Sequence, residues 1–134
     1  MTTSLTWTFN SRLALVSCGI DSEHVARFFK WKKAGKNFLP FVYTKKERAH
    51  CRGLADPATG LCAAFCVKEA LYKALERPYN FTDCEFLYGG TPQNSLFALS
   101  GKIAPCMRNI QACAKLLMPV KGQVTAIVYL FSAL

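Results

Sequence analysis

Asp56-Pro57-Ala58-Thr59-Gly60-Leu61-Cys62-Ala63-Ala64-Phe65-Cys66-Val67-Lys68-Glu69-Ala70-Leu71-Tyr72-Lys73-Ala74-Leu75-Glu76-Arg77-Pro78 is the stretch whose reading decides the fold. Asp56 reads as an N-cap followed by proline at the first helical position, and Pro78 cannot continue a helix. The spacing therefore predicts one long helix running to about residue 77. Wound at about 100° per residue, it gathers Leu61, Ala64, Phe65, Leu71, Tyr72 and Leu75 on one apolar arc. Glu69, Lys73 and Glu76 lie opposite, flanked by the small Cys62, Cys66 and Ala70. Alone, Glu69 and Lys73 read as an ordinary solvated i,i+4 pair worth about 0.3 kcal/mol. Lys68 does not fit that picture. It falls inside the apolar arc, where an ammonium needs water or an anion.

Upstream, residues 12–20 (RLALVSCGI) form an apolar run that predicts a buried strand bounded by a turn-prone Gly19. Gly19-Ile20-Asp21-Ser22-Glu23 follows the run. In extended chain, residues two apart face the same side, so Asp21 and Glu23 can share one ion, although Asp21 or Ser22 capping the next helix is the plainer reading. Ser22 would open a short helix carrying Val25, Phe28 and Phe29, ending in Lys30, Lys32 and Lys33 before Gly35. Thr44-Lys45-Lys46-Glu47 has capping-box spacing and starts a second short helix.

Downstream, residues 80–87 and 95–102 read as strands joined by Gly89-Gly90-Thr91-Pro92, and residues 107–116 as a helix. Residues 117–120 and 123–131 pair across Lys121-Gly122 as a closing hairpin. The expected architecture is α+β, an antiparallel sheet packed on a long central helix, and residues 1–134 form a single domain.

Composition narrows the partners. A chain of 134 residues with 51% apolar and 19% charged residues folds as a globule. A net charge of +9 favours polyanionic partners without choosing among them. No run is long and apolar enough to span a membrane, and residues 1–10 lack the pattern of a signal peptide. Seven cysteines, an odd number, with no CxxC and two histidines read as reduced core fillers in a cytoplasmic protein rather than a zinc or disulfide framework. Cys62 and Cys66 stand one helical turn apart but lack the further ligands a closed zinc site needs. His24 and His50 belong to no Cys/His or Ser/His arrangement. Brought together, Asp21, Glu23, Glu69 and Lys73 would hold a magnesium ion against a phosphate and supply a cation to a departing group, which is the apparatus of phosphoryl-type transfer.

These two motifs together resemble the 4′-phosphopantetheinyl transferase superfamily. Its hallmarks are a strand-end Gly-Ile/Val-Asp with a following acid and a helical (Phe/Trp)-(Ser/Cys/Thr)-x-Lys-Glu-(Ala/Ser)-x-x-Lys. Here they read Gly19-Ile20-Asp21-Ser22-Glu23 and Phe65-Cys66-Val67-Lys68-Glu69-Ala70-Leu71-Tyr72-Lys73. Phe41-Val42-Tyr43-Thr44-Lys45-Lys46-Glu47 and Asn80-Phe81-Thr82-Asp83-Cys84-Glu85-Phe86 are similar to the family's flanking segments. The length is that of the short, holo-[acyl-carrier-protein] synthase type, while the Asp-x-Glu spacing resembles the larger subfamily. Ala64 stands where the short type often has arginine, Pro92-Gln93-Asn94 where it has Gly-Lys-Pro, and residues 117–121 where it has a Ser-x-Ser-His-like segment.

The resemblance implies a Mg2+-dependent transfer of 4′-phosphopantetheine from coenzyme A to a serine of an acidic acyl or peptidyl carrier protein, releasing 3′,5′-ADP. It implies Asp21, Glu23 and Glu69 as metal ligands, Glu69 as base, and Lys73 on the α-phosphate. Lys68, Lys45, Arg48 and Arg52 would be further coenzyme contacts, with Arg27 facing the carrier. The short type assembles as trimers, so a homotrimer is expected. Two alternatives stay open: a degenerate member that binds coenzyme A or a carrier without reacting, and a small basic nucleic-acid-binding domain. The second lacks a helix-turn-helix, zinc-finger or RNP1-type signature, so neither nucleic acid nor membrane is expected as a partner.

Overall fold

The computed structural model describes residues 13–29, 39–100, 102–103 and 107–133. Strand β1 (Leu13–His24) leads through a 3-10 turn (Val25–Phe28) toward helices α1 (Leu39–Val42), α2 (Lys45–Arg52) and α3 (Pro57–Leu75). Strands β2 (Cys84–Leu87), β3 (Leu96–Leu99), β4 (Ile110–Leu117) and β5 (Gln123–Ala133) follow. β1, β5 and β4 make one antiparallel sheet in that order, and β2 and β3 a second, two-stranded one. The architecture is the α+β arrangement read from the sequence.

α3 is the axis of the core. Its N-cap Asp56 accepts from the Thr59 amide, and Pro57 opens the first turn. From Ala58 to Ala74 it contributes thirteen buried residues, many of them alanine or cysteine, so neighbouring backbones can approach closely. β1 lies against it in step. The Ser17 hydroxyl donates to the Ala74 carbonyl at 2.7 Å, Gly19 faces Ala70, and the Cys62 thiol points at the Glu23 carbonyl at 3.9 Å. Two residues along the strand thus answer about four along the helix.

The helix ends with Glu76 in the left-handed region (φ 58°), where its amide bonds to the Tyr72 carbonyl. Glycine holds that conformation without a Cβ clash. Glu76→Gly is expected to stabilise the chain by about 0.5–1 kcal/mol, read as a melting temperature raised by roughly 2–4 °C.

α2 carries the predicted capping box. Thr44 Oγ1 accepts from the Glu47 amide at 3.0 Å, and Glu47 Oε1 accepts from the Thr44 amide at 2.8 Å. A hairpin does close at Lys121-Gly122, with Gly122 at φ 82°, but its first arm is β4, which ends at Leu117; residues 118–120, read as a strand, belong to the connection.

Several expectations are corrected. Residues 107–116, read as a helix, hold β4 instead. Ala, Lys and Leu favour helix locally, but Ala114 and Leu116 are buried while Gln111, Lys115 and Leu117 are exposed, a period of two that pairing with β5 enforces. Gly19 lies inside β1 and not at its end, because an ideal Cβ there would stand 2.0 Å from the Ala70 carbonyl oxygen. Ser22 is therefore a strand residue, bonded to Thr125 Oγ1 at 2.6 Å, and the helix expected after it is a single 3-10 turn. The strand expected from residue 80 starts at Cys84, after a 3-10 turn over Phe81–Asp83. Arg12, Lys30, Lys32, Lys33, Gly35 and Cys106 lie outside the described residues.

Among the described residues no element covers the sheet face turned from α3. Leu15, Cys18 and Ile20 on β1 and Leu117 on β4 are exposed, and Ile127 and Tyr129 on β5 run between them. Among the described residues no helix is long and apolar enough to cross a membrane.

Candidate active site

β1 and α3 bring the two motifs face to face. Asp21 and Glu23 point toward α3, while Ser22 between them points away and is exposed. The Lys73 ammonium reaches across from the helix, donating to Asp21 Oδ1 at 3.1 Å and to the Ile20 carbonyl at 3.0 Å. The Asp21 side chain is 11% exposed, and its buried Oδ2 has no hydrogen-bond partner among the described residues. Glu69, one turn before Lys73, completes the group. Burial, then the neighbouring Asp21 charge, hold its carboxyl above the ordinary range against the opposing pull of Lys73. Asp21 is likewise raised, first by burial and further by Glu23, with Lys73 opposing.

Glu23 is turned to a different cation. Arg27 Nη1 donates to Glu23 Oε1 at 2.5 Å, and the same guanidinium lies over the Phe65 ring at 5.3 Å and the Phe28 ring at 5.9 Å. Among the described residues no three His, Cys, Asp or Glu side chains are gathered closely enough to ligate a metal. The donor chemistry nevertheless fits a hard divalent cation. Asp21 presents an unpartnered buried carboxylate oxygen beside a second carboxylate, and magnesium completes its octahedron with phosphate oxygens and water. Two carboxylates suffice for that set.

Lys68 is not part of this cluster. Its ammonium is fully buried, pairs with Glu47 Oε1 at 2.9 Å, and donates to the Phe81 carbonyl at 2.6 Å and to the Cys84 carbonyl. All three donors are engaged, so the phosphate contact expected of it has no proton left to make it. It points about 140° around the helix from Lys73. The Phe86 amide donates to Glu47 Oε2 at 2.8 Å. The pair thus ties together α2, α3, β2 and the turn before β2. The lysine in the apolar arc signalled a buried anion; that Glu47, already accounted for as a cap, supplies it was missed.

Lys45, Arg48 and Arg52 ride on α2, which packs on the Lys68 flank of α3, away from Lys73. Lys45 and Arg52 are exposed, and Arg48 is half-buried with an Nε that has no hydrogen-bond partner. The structure does not bring these three to the carboxylates. Cys62 and Cys66 are buried under β1; the Cys66 thiol donates to the Val124 carbonyl and is held protonated by its contact with Cys62 and by burial.

An antiparallel sheet laid in step against one long helix, with an acid pair and a lysine at their junction, defines the class. A family model of the 4′-phosphopantetheinyl transferase superfamily matches residues 17–127, and the chain belongs to that superfamily. Among its relatives, a holo-[acyl-carrier-protein] synthase from Myxococcus xanthus is 46% identical over 67 residues, covering 48% of this chain and 51% of that one. A holo-[acyl-carrier-protein] synthase from Protochlamydia amoebophila is 34% identical over 95 residues, covering 66% and 72%. The structure of Helicobacter pylori holo-[acyl-carrier-protein] synthase in complex with coenzyme A superposes with a TM-score of 0.65 at 26% identity, covering 84% of this chain and 98% of that one. The chain spans about half the length of several curated relatives it matches.

Proposed function

We propose that this chain is a holo-[acyl-carrier-protein] synthase, moving 4′-phosphopantetheine from coenzyme A to a serine of an acidic acyl or peptidyl carrier protein. The observation that carries this reading is the junction of β1 and α3, where Asp21 offers a buried, unpartnered oxygen beside Glu69 and within reach of the Lys73 ammonium. Asp21 and Glu69 would hold Mg2+, with Glu23 as a third ligand once it turns from Arg27. Bound there, the metal supplies Lewis-acid stabilisation to the pyrophosphate.

The chain's own groups do the rest. Glu69 takes the proton of the attacking serine hydroxyl. The serine oxygen forms its bond to the β-phosphorus as the bond to the bridging oxygen of the pyrophosphate breaks, and 3′,5′-ADP leaves. Lys73 meets the charge that gathers on the α-phosphate. Lys45, Arg48 and Arg52 serve the coenzyme's 3′-phosphate. Their place on the far flank of α3 from Lys73 suits a coenzyme held at a junction between copies of the chain. Arg27 and the positive charge around it steer the acidic carrier.

The uncovered apolar face of the three-stranded sheet supports self-association, which we read as a homotrimer. Ile127→Glu, at the centre of that face, is expected to reduce the mass measured by light scattering to that of one chain. A free thiol at every described cysteine accords with the cytoplasm, where coenzyme A and carrier proteins meet.

The test is to incubate the protein with coenzyme A, Mg2+ and an apo carrier protein and to weigh the carrier by intact mass spectrometry. A gain of one phosphopantetheine, lost with EDTA, supports the assignment. No gain with several carriers, despite coenzyme A binding, overturns it in favour of a binding-only member of the family.

A further inference from the structure

The two lysines of α3 are held in opposite ways. Lys68 has no exposed surface and is fixed by three acceptors, whereas the Lys73 side chain is 51% exposed and among the described residues bonds to the strand edge, at Asp21 Oδ1 and the Ile20 carbonyl. We propose that Lys73 is a resident counter-ion that competes with the divalent cation for Asp21, so that metal and coenzyme phosphate bind cooperatively through the transfer of one ammonium. The proposal rests on the metal reading given above and deepens it.

The argument begins with Asp21. Its side chain is nearly nine-tenths buried, and the only ion pair it makes among the described residues is with Lys73. A carboxylate so placed needs a cation beside it. A divalent ion on the same group would bring two further positive charges within a few ångströms of the ammonium, and repulsion would drive Lys73 off. The Lys73 stem is free to move, because half of it lies in solvent. Once displaced, the ammonium is left with water and the Ile20 carbonyl, weaker partners than an anion. A coenzyme phosphate at the metal supplies that anion.

The exchange works equally well in reverse. A phosphate that draws Lys73 away leaves Asp21 open to the metal, as the reciprocity of linked equilibria requires. Glu23 has no such device. Its partner Arg27, as exposed as Lys73, is held over two aromatic rings as well as by the ion pair.

Mn2+ is the probe, its free concentration read by electron paramagnetic resonance and its affinity checked by calorimetry. In the coenzyme-free protein, Lys73→Met should bind Mn2+ roughly two- to fivefold more tightly than the wild type, the range expected for losing one partly screened ion pair. Lys73→Arg, which keeps the charge, should bind like the wild type. Coenzyme A should then tighten Mn2+ binding more in the wild type than in Lys73→Met. Lys73→Gln provides the same comparison should the methionine variant fold poorly, with circular dichroism as the check. Equal or weaker Mn2+ binding by the neutral variants, with the wild type binding normally, overturns the counter-ion role and leaves the metal site standing. No Mn2+ binding by the wild type, with or without coenzyme A, overturns the metal reading and this proposal together.

Discussion

Glu69→Gln should lose at least about a hundredfold in transfer rate while its coenzyme-free form melts at a higher temperature than the wild type at neutral pH. The two halves have one cause. Glu69 is partly buried beside Asp21, so its ionised form is disfavoured in the folded chain and its pKa lies above the ordinary value. A proton that binds more tightly to the folded state than to the unfolded one stabilises the fold at low pH. That stability is lost as pH rises from the ordinary carboxylate range through the raised value. Above the raised value the wild type carries this penalty in full, and glutamine, nearly isosteric and neutral, does not.

The gain in melting temperature should therefore shrink as the pH is lowered toward 4, where wild-type Glu69 is itself protonated. Divalent cations should stabilise the wild type and not the variant, and more so at pH 8 than at pH 5, because the ligands must be ionised. A variant that transfers at wild-type rate, or that melts lower at every pH, would remove Glu69 from the centre of the mechanism. A group that costs stability and supplies the chemistry is a common bargain at active sites.

Gly19→Ala is the second large effect expected. An added Cβ would lie 2.0 Å from the Ala70 carbonyl oxygen and 2.7 Å from the Ala74 amide nitrogen, both rigid backbone atoms of α3. Neither can rotate aside, so strand and helix must separate by about 1 Å, at a stability cost of about 1–3 kcal/mol or more. The same displacement carries Asp21, two residues on, away from Glu69. A shift of that size in a reacting group reduces rates by about a hundredfold. Assayed well below its melting temperature, the variant should thus remain folded and still be nearly inactive. Unchanged melting and unchanged transfer would mean that the close approach of β1 to α3 has no part in the site.

How legible this was differs residue by residue. The boundaries of α3 and the cap of α2 follow from local chemistry, since Asp56-Pro57 and Thr44 with Glu47 act on amides three residues away. The acid pair and Lys73 were legible as a pattern and in the resemblance it carries. What could not be read depends on partners distant in the chain. β4 is a strand because β5 lies beside it, against the helical preference of its own alanines, lysine and leucines. Lys68 finds Glu47 twenty-one residues away, across two helices, so its apolar surroundings announced a partner without naming it. Gly19 looked like a turn residue because glycine suits turns. It is needed instead for what it lacks, a Cβ that would keep α3 at a distance.

The stepped contact of β1 on α3 has a consequence of its own. Four helical residues advance about 6.0 Å and two strand residues about 6.6 Å, so the two scales behave as a vernier. They coincide over the few rungs from Ser17 to Glu23. Asp21 falls where the graduations agree. A one-residue deletion in either segment would turn the carboxylates to the outer side of the sheet or rotate Glu69 off it, with every residue type intact. The active centre is in that sense an alignment of two rulers, and a transplant into another scaffold would have to carry the strand and the helix together.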